Sequence, residues 1–175
     1  VFKAGDQWFD TGDLIREIDV GFAFGIRHFQ FVDRTGDTFR WRSENVSTNE
    51  VAEVLNQHPQ IHLSNVYGVE VPGCEGKAGM VALAVESPDT FDVAGFSRLV
   101  DTELPAYARP VFIRLQGALE TTGTFKLVKT ELREQSFHLD QVGQDAIYVR
   151  PPKAESYQRL DDSFYQSLCS GTAGY

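Results

Sequence analysis

The run FVDRTGDTFRWRSENVST, residues 31–48, constrains the fold more than any other part of the chain. Turn-forming and charged residues concentrate at positions 34–37, so neither a helix nor a strand is expected to continue through them. Residues 38–42 then alternate between apolar and basic side chains, which predicts a short strand. Ser47, followed three residues later by Glu50, forms a capping box and predicts that a helix begins there. The run therefore predicts a break between two parts of the chain.

The residues on the two sides of this break differ in pattern. Before it, aromatic residues alternate loosely with period two, which predicts a short antiparallel β meander. After it, apolar runs predict about three strands flanked by helices. The strands are expected at 61–71, 80–86 and 111–115, and the helices at 48–57, after Asp92, at 131–135 and at 157–168. Residues 170–175 are expected to fray. The fold class is thus α+β, with one unit at 1–36 and a second at 37–175.

Charge and cysteine content exclude several classes of function. The 175 residues carry 16 basic and 25 acidic side chains, a net charge of −9, which disfavours nucleic acid as a partner. Cys74 and Cys169 lie in neither a CxxC nor a His-spaced pattern, so the sequence predicts no disulfide framework and no metal site. A reduced, cytoplasmic setting follows. Since the chain starts at Val1 without a targeting segment, we expect it to be part of a longer protein.

Two turns in the first third of the chain allow a functional interpretation beside a structural one. Thr11-Gly12-Asp13 is typical of an ordinary turn, yet a carboxylate on such a turn can also accept hydrogen bonds from a ribose diol. Arg34 and Asp37 fit a solvated turn with a local ion pair, or a nucleotide-binding arginine beside a point where the backbone swivels. The residues alone leave both interpretations open.

A third candidate is the run ETTGTFK at 120–126. It fits a loop with an exposed lysine. Alternatively, Lys126 enters a site where negative charge builds up, and its ammonium group binds both a phosphate and a carboxylate oxygen. The run lacks the spacing of a phosphate-binding P-loop.

Four motifs in this order resemble the adenylate-forming superfamily, and within it the branch of fatty acid transport proteins, also called very-long-chain acyl-CoA synthetases. The motifs are WFDTGD at 8–13, the run from Asp33 to Val51, LPAYARPVF at 104–112, and TGTFKLVK at 122–129. The resemblance covers nearly the whole chain. It implies that residues 1–36 are the edge of a large adenylate-forming domain and that 37–175 form its small mobile C-terminal domain.

The resemblance also implies a role for each matching residue. Asp13 and Arg34 correspond to nucleotide-binding residues, Asp37 to the hinge between the domains, and Lys126 to the lysine that promotes adenylation. Arg42, Ser43 and Glu44 correspond to the segment that faces CoA in the thioester-forming pose. The branch usually has glycine where this chain has Ser43, and a glycine there would let the backbone approach CoA closely.

The implied activity is the ATP-dependent conversion of long- or very-long-chain fatty acids into acyl-CoA through an acyl-adenylate, coupled in some members to fatty acid uptake. The implied cofactors are ATP and Mg²⁺, bound mainly by the large domain, with CoA as co-substrate. We expect this chain alone to be inactive and its parent to be cytoplasmic or at the inner face of a membrane. Two alternatives stay open: an acyl-adenylating enzyme that loads a carrier protein, and a non-catalytic α+β binding module.

Overall fold

The β structure consists of two short antiparallel ribbons and one five-stranded sheet in the part of the chain that the structure describes. The structure is a computed structural model, and it describes residues 11–22, 25–121, 123 and 127–175. The strands are β1 (Asp13–Ile18), β2 (His28–Arg34), β3 (Phe39–Trp41), β4 (Glu44–Val46), β5 (Ile61–Val69), β6 (Ala78–Val85), β7 (Phe112–Gln116), β8 (Ala146–Val149) and β9 (Gln158–Arg159). The helices are α1 (Thr48–Leu55), α2 (Val93–Glu103), α3 (Thr130–Gln135) and α4 (Asp162–Cys169). The predicted α+β class is confirmed.

The large sheet has the strand order β5-β6-β7-β8-β9. Strands β6 and β7 are parallel, with Met80 opposite Phe112, whereas the other neighbouring pairs are antiparallel. A parallel pair needs a crossover, and α2 provides it. Every residue of β6 is buried, which explains its continuous apolar sequence. Below the sheet, Phe112 stacks on Phe137 with ring centroids 4.7 Å apart.

Local capping places the longer helices. The Ser47 hydroxyl accepts a hydrogen bond from the backbone N–H of Glu50 at the start of α1, as the capping box predicts. The Asp92 carboxylate accepts from the backbone N–H of Gly95 at the start of α2, over 2.8 Å. Helix α1 ends at Leu55, two residues before the predicted end. These caps fix the residues at which α1 and α2 begin.

Three expectations for the chain need correction. The large sheet has five strands instead of three, because β8 and β9 are too short to produce an apolar pattern. The predicted helix at 157–168 begins only at Asp162, since the buried Tyr157 ring and its hydroxyl bond to the carbonyl of Pro110 hold the preceding residues extended. Residues 170–175, expected to fray, are held by hydrogen bonds. The expected strand at Trp8-Phe9 lies outside the described residues.

A charged cluster joins α2 to the end of β8. Arg150 donates two hydrogen bonds to the Asp101 carboxylate, at 2.8 and 2.9 Å, and Arg109 lies 2.7 Å from the same carboxylate. The hydrogen bonds from Arg150 hold the pKa of Asp101 below its ordinary value. A paired, charge-assisted carboxylate of this kind stabilises the fold only while it is ionised.

The Asp101 cluster predicts a pH dependence of stability. Because the folded pKa of Asp101 is depressed, its contribution is fully present above the unfolded pKa of about 3.9 and is lost as the pH falls through the folded pKa. Asp101→Asn should therefore lower the free energy of unfolding at pH 7 and flatten its decline below about pH 4. Urea unfolding from pH 3 to 7 measures this, and parallel curves for the two proteins would contradict the assignment.

Candidate functional site

The first two candidate residues, Asp13 and Arg34, are paired in the structure. They lie opposite each other at the open end of the β1–β2 ribbon. The Arg34 Nε atom is 2.9 Å from the Asp13 carboxylate, and another guanidinium nitrogen donates to the carbonyl of Thr11 over 2.9 Å. About half of the Arg34 side chain stays exposed. A carboxylate and an arginine are thus held together beside open solvent.

The hinge candidate, Asp37, closes the turn that follows β2. Its backbone N–H donates to the carbonyl of Arg34 over 2.9 Å. Its carboxylate is 3.0 Å from Arg133 of α3 and 3.6 Å from Lys129, just before α3. The Asp37 carboxylate is therefore tied to the start and middle of α3.

Lys129 lies between the hinge and α1. Its ammonium group donates to the Thr48 hydroxyl over 3.0 Å while facing Asp37. Burial lowers the pKa of Lys129, and the carboxylates of Asp37 and Asp33 act in the opposite direction. The lysine thus bridges the hinge turn and the first turn of α1.

The interpretation of the turn at 33–37 as solvated is wrong for Asp33, because this residue is only 1% exposed. One carboxylate oxygen accepts from the backbone N–H of Thr48 at 2.6 Å, from the Thr48 hydroxyl at 3.0 Å and from the Ser47 hydroxyl at 3.2 Å. The other accepts from the Asn49 amide at 3.2 Å. The carboxylate therefore satisfies the free N–H groups at the start of α1 from across the predicted domain boundary.

These groups line one cleft of about 660 Å³. Arg34, Asp37, Thr48 and Lys129 lie on its walls, together with Leu127. Lys126 itself lies outside the described residues, as do residues 122, 124 and 125 of the same run. Its neighbour Leu127 pairs with Thr121 across that loop. The structure therefore brings Asp13, Arg34 and Asp37 together and places the residue after Lys126 in the same cleft.

Sequence reasoning missed three residues that line this cleft, Asp33, Thr48 and Lys129. It also missed Arg133, which pairs with Asp37. The signal for Lys129 was the second lysine of TGTFKLVK, three positions after Lys126. Thr48 was recognised only as part of the capping box. No local pattern connects Arg133 to Asp37, because 96 positions separate them along the chain.

The CoA-facing candidates lie on a different surface. Arg42 and Ser43 form the two-residue turn between β3 and β4, and Glu44 begins β4. All three are exposed. A second cleft of about 270 Å³ is lined by Arg40, Arg42, Ser43, Glu75 and Gly76. It shares no lining residue with the Asp37 cleft.

The turn conformation explains why a glycine is expected at position 43. Arg42 and Ser43 have φ angles of 51° and 67°, so both lie in the left-handed region that a two-residue hairpin turn requires. A residue with a Cβ is strained there by roughly 1–2 kcal/mol. The glycine usual at this position is thus favoured by the backbone of the turn itself.

Ser43→Gly should therefore stabilise the chain. We expect a gain of about 0.5 kcal/mol in the free energy of unfolding, since relief of the left-handed strain exceeds the added entropy of the unfolded glycine. Urea unfolding measures the change. The matched control is Ser87→Gly, because Ser87 is exposed with an ordinary φ of −137° and should lose stability. A loss at both positions would refute the strain argument.

The described part of the chain contains no candidate metal site. Residues 11–22, 25–121, 123 and 127–175 contain no group of three or more His, Cys, Asp or Glu side chains that could hold an ion. The residues present therefore do not fit a Mg²⁺ site, and no catalytic step is assigned to one.

Comparison with known proteins connects these features to a family. No family model matches the chain. Human long-chain fatty acid transport protein 5 is 45% identical over 98% of the chain. The medium/long-chain-fatty-acid–CoA ligase FadD6 of Mycobacterium tuberculosis is 41% identical over 89%. The homologues of this chain are thus fatty acid transport proteins and acyl-CoA ligases.

Solved structures of adenylate-forming enzymes share the fold of this chain. The O-succinylbenzoate CoA synthetase of Bacillus subtilis, solved with AMP, aligns with 78% of the chain at a TM-score of 0.60 and 25% identity. The fold matches the C-terminal domain of adenylate-forming enzymes. The chain spans about a quarter of the length of the relatives it matches, 24% of the human protein and 25% of the M. tuberculosis ligase.

Among the described residues, no helix is long and apolar enough to cross a bilayer.

Proposed function

We propose that this chain is the C-terminal part of an ATP-dependent long- or very-long-chain fatty acyl-CoA synthetase. The observation that carries the proposal is the 41% identity to a protein named as a medium/long-chain-fatty-acid–CoA ligase, over nearly nine-tenths of the chain. The geometry supports it, since Arg34 and Asp37 line one cleft and Arg42 and Ser43 line another.

The first half-reaction uses the cleft beside the hinge. The fatty acid carboxylate attacks the α-phosphorus of ATP, a carboxylate O–P bond forms, and pyrophosphate leaves. Asp13 accepts hydrogen bonds from the ribose hydroxyls, and Arg34, already paired with Asp13 at 2.9 Å, holds that carboxylate in place. Lys126 brings its ammonium group to the two anions and reduces their repulsion.

The second half-reaction uses the β3–β4 turn. The CoA thiol attacks the acyl carbonyl, a thioester bond forms, AMP leaves, and the thiol proton passes to solvent. Rotation about Asp37 withdraws Lys126 and brings Arg42, Ser43 and Glu44 to the acyl-adenylate, a hinge motion between two poses of one small domain. The separation of the two clefts is what such an alternation requires.

The domain division at residues 36 and 37 belongs to this proposal. The β1–β2 ribbon exposes large apolar side chains on a small element: Ile15, Phe22, Ile26, Phe29 and Phe31 are 51–66% exposed. Apolar clusters of this kind mark a surface that packs against more protein. We assign the ribbon to the edge of a large adenylate-forming domain that holds ATP, Mg²⁺ and the fatty acid.

The parent protein tests the proposal directly. Purified full-length protein should form acyl-adenylate from ATP and a long-chain fatty acid, and should transfer the acyl group to CoA in preference to a holo carrier protein. The isolated chain, which lacks the acyl pocket, should do neither. Transfer to the carrier protein alone would identify that protein, instead of CoA, as the acceptor. Acyl-adenylate formation by the isolated chain would contradict the assignment of ATP and fatty acid binding to the large domain. We place this activity in the cytoplasm, at the inner face of a membrane when coupled to uptake.

A further inference from the structure

Residues 170–175 fold back onto the surface that carries the β3–β4 turn. The Tyr175 ring packs edge-on against Trp41, with ring centroids 6.4 Å apart and an interplanar angle of 62°. Its hydroxyl donates to the backbone carbonyl of Arg150 over 2.7 Å. Arg150 is itself fixed by Asp101, so the anchor of the hydroxyl is rigid.

Trp41 is the contact through which Tyr175 reaches the turn. It is the last residue of β3, is only 4% exposed, and directly precedes Arg42. The Arg42 guanidinium lies over the Trp41 ring, 5.8 Å from its centroid. The position of the indole therefore sets the position of the first turn residue.

A second contact attaches the same segment to the loop beneath β3. Gly171 approaches Gly73 so closely that a Cβ on Gly73 would lie 3.0 Å from the Gly171 carbonyl oxygen. The same loop holds β3, because the backbone N–H of Lys77 donates to the carbonyl of Arg40 over 2.7 Å. The 72–77 loop thus contacts both segment 170–175 and β3.

The hairpin needs such support. Each of its strands has three residues, and isolated two-stranded hairpins are marginally stable at best. Its turn also places Arg42 and Ser43 in the left-handed region. Packing from outside the hairpin must therefore hold these two residues in place.

We propose that Tyr175 is a positioning residue for thioester formation, which acts through Trp41 to hold the CoA-facing turn at Arg42 and Ser43. This inference rests on the proposed function, because it takes the turn to face CoA. Tyr175 touches no reacting atom, and its effect is confined to the second half-reaction. Arg34 and the hinge residue Asp37 lie on the other cleft, Asp13 pairs with Arg34, and none of the three is expected to respond.

Two measurements on the full-length protein test the inference. Tyr175→Ala should raise the KM for CoA about tenfold, the loss expected when an aromatic contact and a hydrogen bond are removed together. The rate of acyl-adenylate formation should change less than about twofold, because the other cleft is untouched. Amide hydrogen exchange of residues 40–46 should quicken about tenfold in the same variant. Tyr175→Phe, which keeps the ring, should show a smaller change in both.

The matched control is Tyr165→Ala on α4. Tyr165 packs edge-on against Phe137 at the same centroid distance of 6.4 Å, and its hydroxyl lies 3.2 Å from His138. This variant removes an equivalent aromatic contact, but one to Phe137 instead of Trp41, so it should leave exchange at 40–46 and the KM for CoA unchanged.

Three results separate the possibilities. Unchanged exchange at 40–46 in Tyr175→Ala overturns the inference alone. Equal losses in both half-reactions, matched by Tyr165→Ala, assign Tyr175 a general structural role and also overturn it. If the unsubstituted full-length protein makes no acyl-adenylate, the proposed function fails and the role toward CoA falls with it.

Discussion

Replacement of Lys126 by alanine in the full-length protein is expected to slow acyl-adenylate formation about 10³-fold, the upper end of the loss seen when one preorganised donor to developing charge is removed. The reason is electrostatic. The attacking carboxylate and the triphosphate are both anions, and an ammonium group placed between them lowers the energy of the transition state more than that of either reactant. Single-turnover formation of acyl-adenylate measures the effect.

The second half-reaction of the same variant provides the internal control. Thioester formation from preformed acyl-adenylate should stay within about twofold of the original rate, because the proposed rotation at Asp37 would remove Lys126 from the site before CoA attacks. Arg98→Ala, which removes another cation that is 73% exposed on α2, should affect neither step. Equal loss in both half-reactions would show that Lys126 is structural.

Asp33→Ala should be the most damaging single change to the stability of the chain, lowering the free energy of unfolding by about 3 kcal/mol. Its buried carboxylate accepts hydrogen bonds from Ser47, Thr48 and Asn49, and hydrogen bonds to a charged group contribute roughly 1.5–3 kcal/mol each. The substitution leaves buried donors at the start of α1 without an acceptor. Urea unfolding at neutral pH measures the loss.

Asp161→Ala is the matched control for Asp33. Asp161 also accepts a backbone hydrogen bond at a helix N-terminus, from Phe164 over 2.8 Å, but it is exposed and makes a single such bond. We expect it to cost about 1 kcal/mol, as usual for an exposed N-cap. Similar losses for the two variants would mean that the buried network around Asp33 contributes nothing beyond an ordinary cap.

The sequence predicts most of the local structure around the site. Turn residues before Phe39, the alternation through Trp41 and the capping box at Ser47 correctly place the turn, β3 and the start of α1. Motif order also identifies the family, because four separated motifs agree. The roles of Asp13, Arg34, Asp37 and Lys126 stay predictions, although the first three meet in one region of the structure.

Contacts between distant residues could not be predicted in this way. A charged aspartate among turn residues normally points to solvent, so nothing in the local pattern indicates that Asp33 is buried and caps a helix. The pairing of Asp37 with Lys129 and Arg133 depends on the path of the chain through the whole sheet. Strand β9 has two residues and is defined only by its neighbour β8. Such features follow from tertiary packing and leave no periodic signal.

The Asp33 network has a consequence for how the proposed rotation proceeds. Asp33 lies before Asp37 along the chain, whereas its donors Ser47, Thr48 and Asn49 lie after it, so turning the small domain about Asp37 would separate them. At intermediate angles the Asp33 carboxylate would lose its hydrogen bonds to α1, and the first N–H groups of α1 would have no acceptor. No partial contact would offset this cost in free energy. The hinge should therefore switch between two discrete populations instead of drifting through a continuum. Single-molecule distance measurements across residue 37 would then show two peaks, and Asp33→Ala would blur them into one.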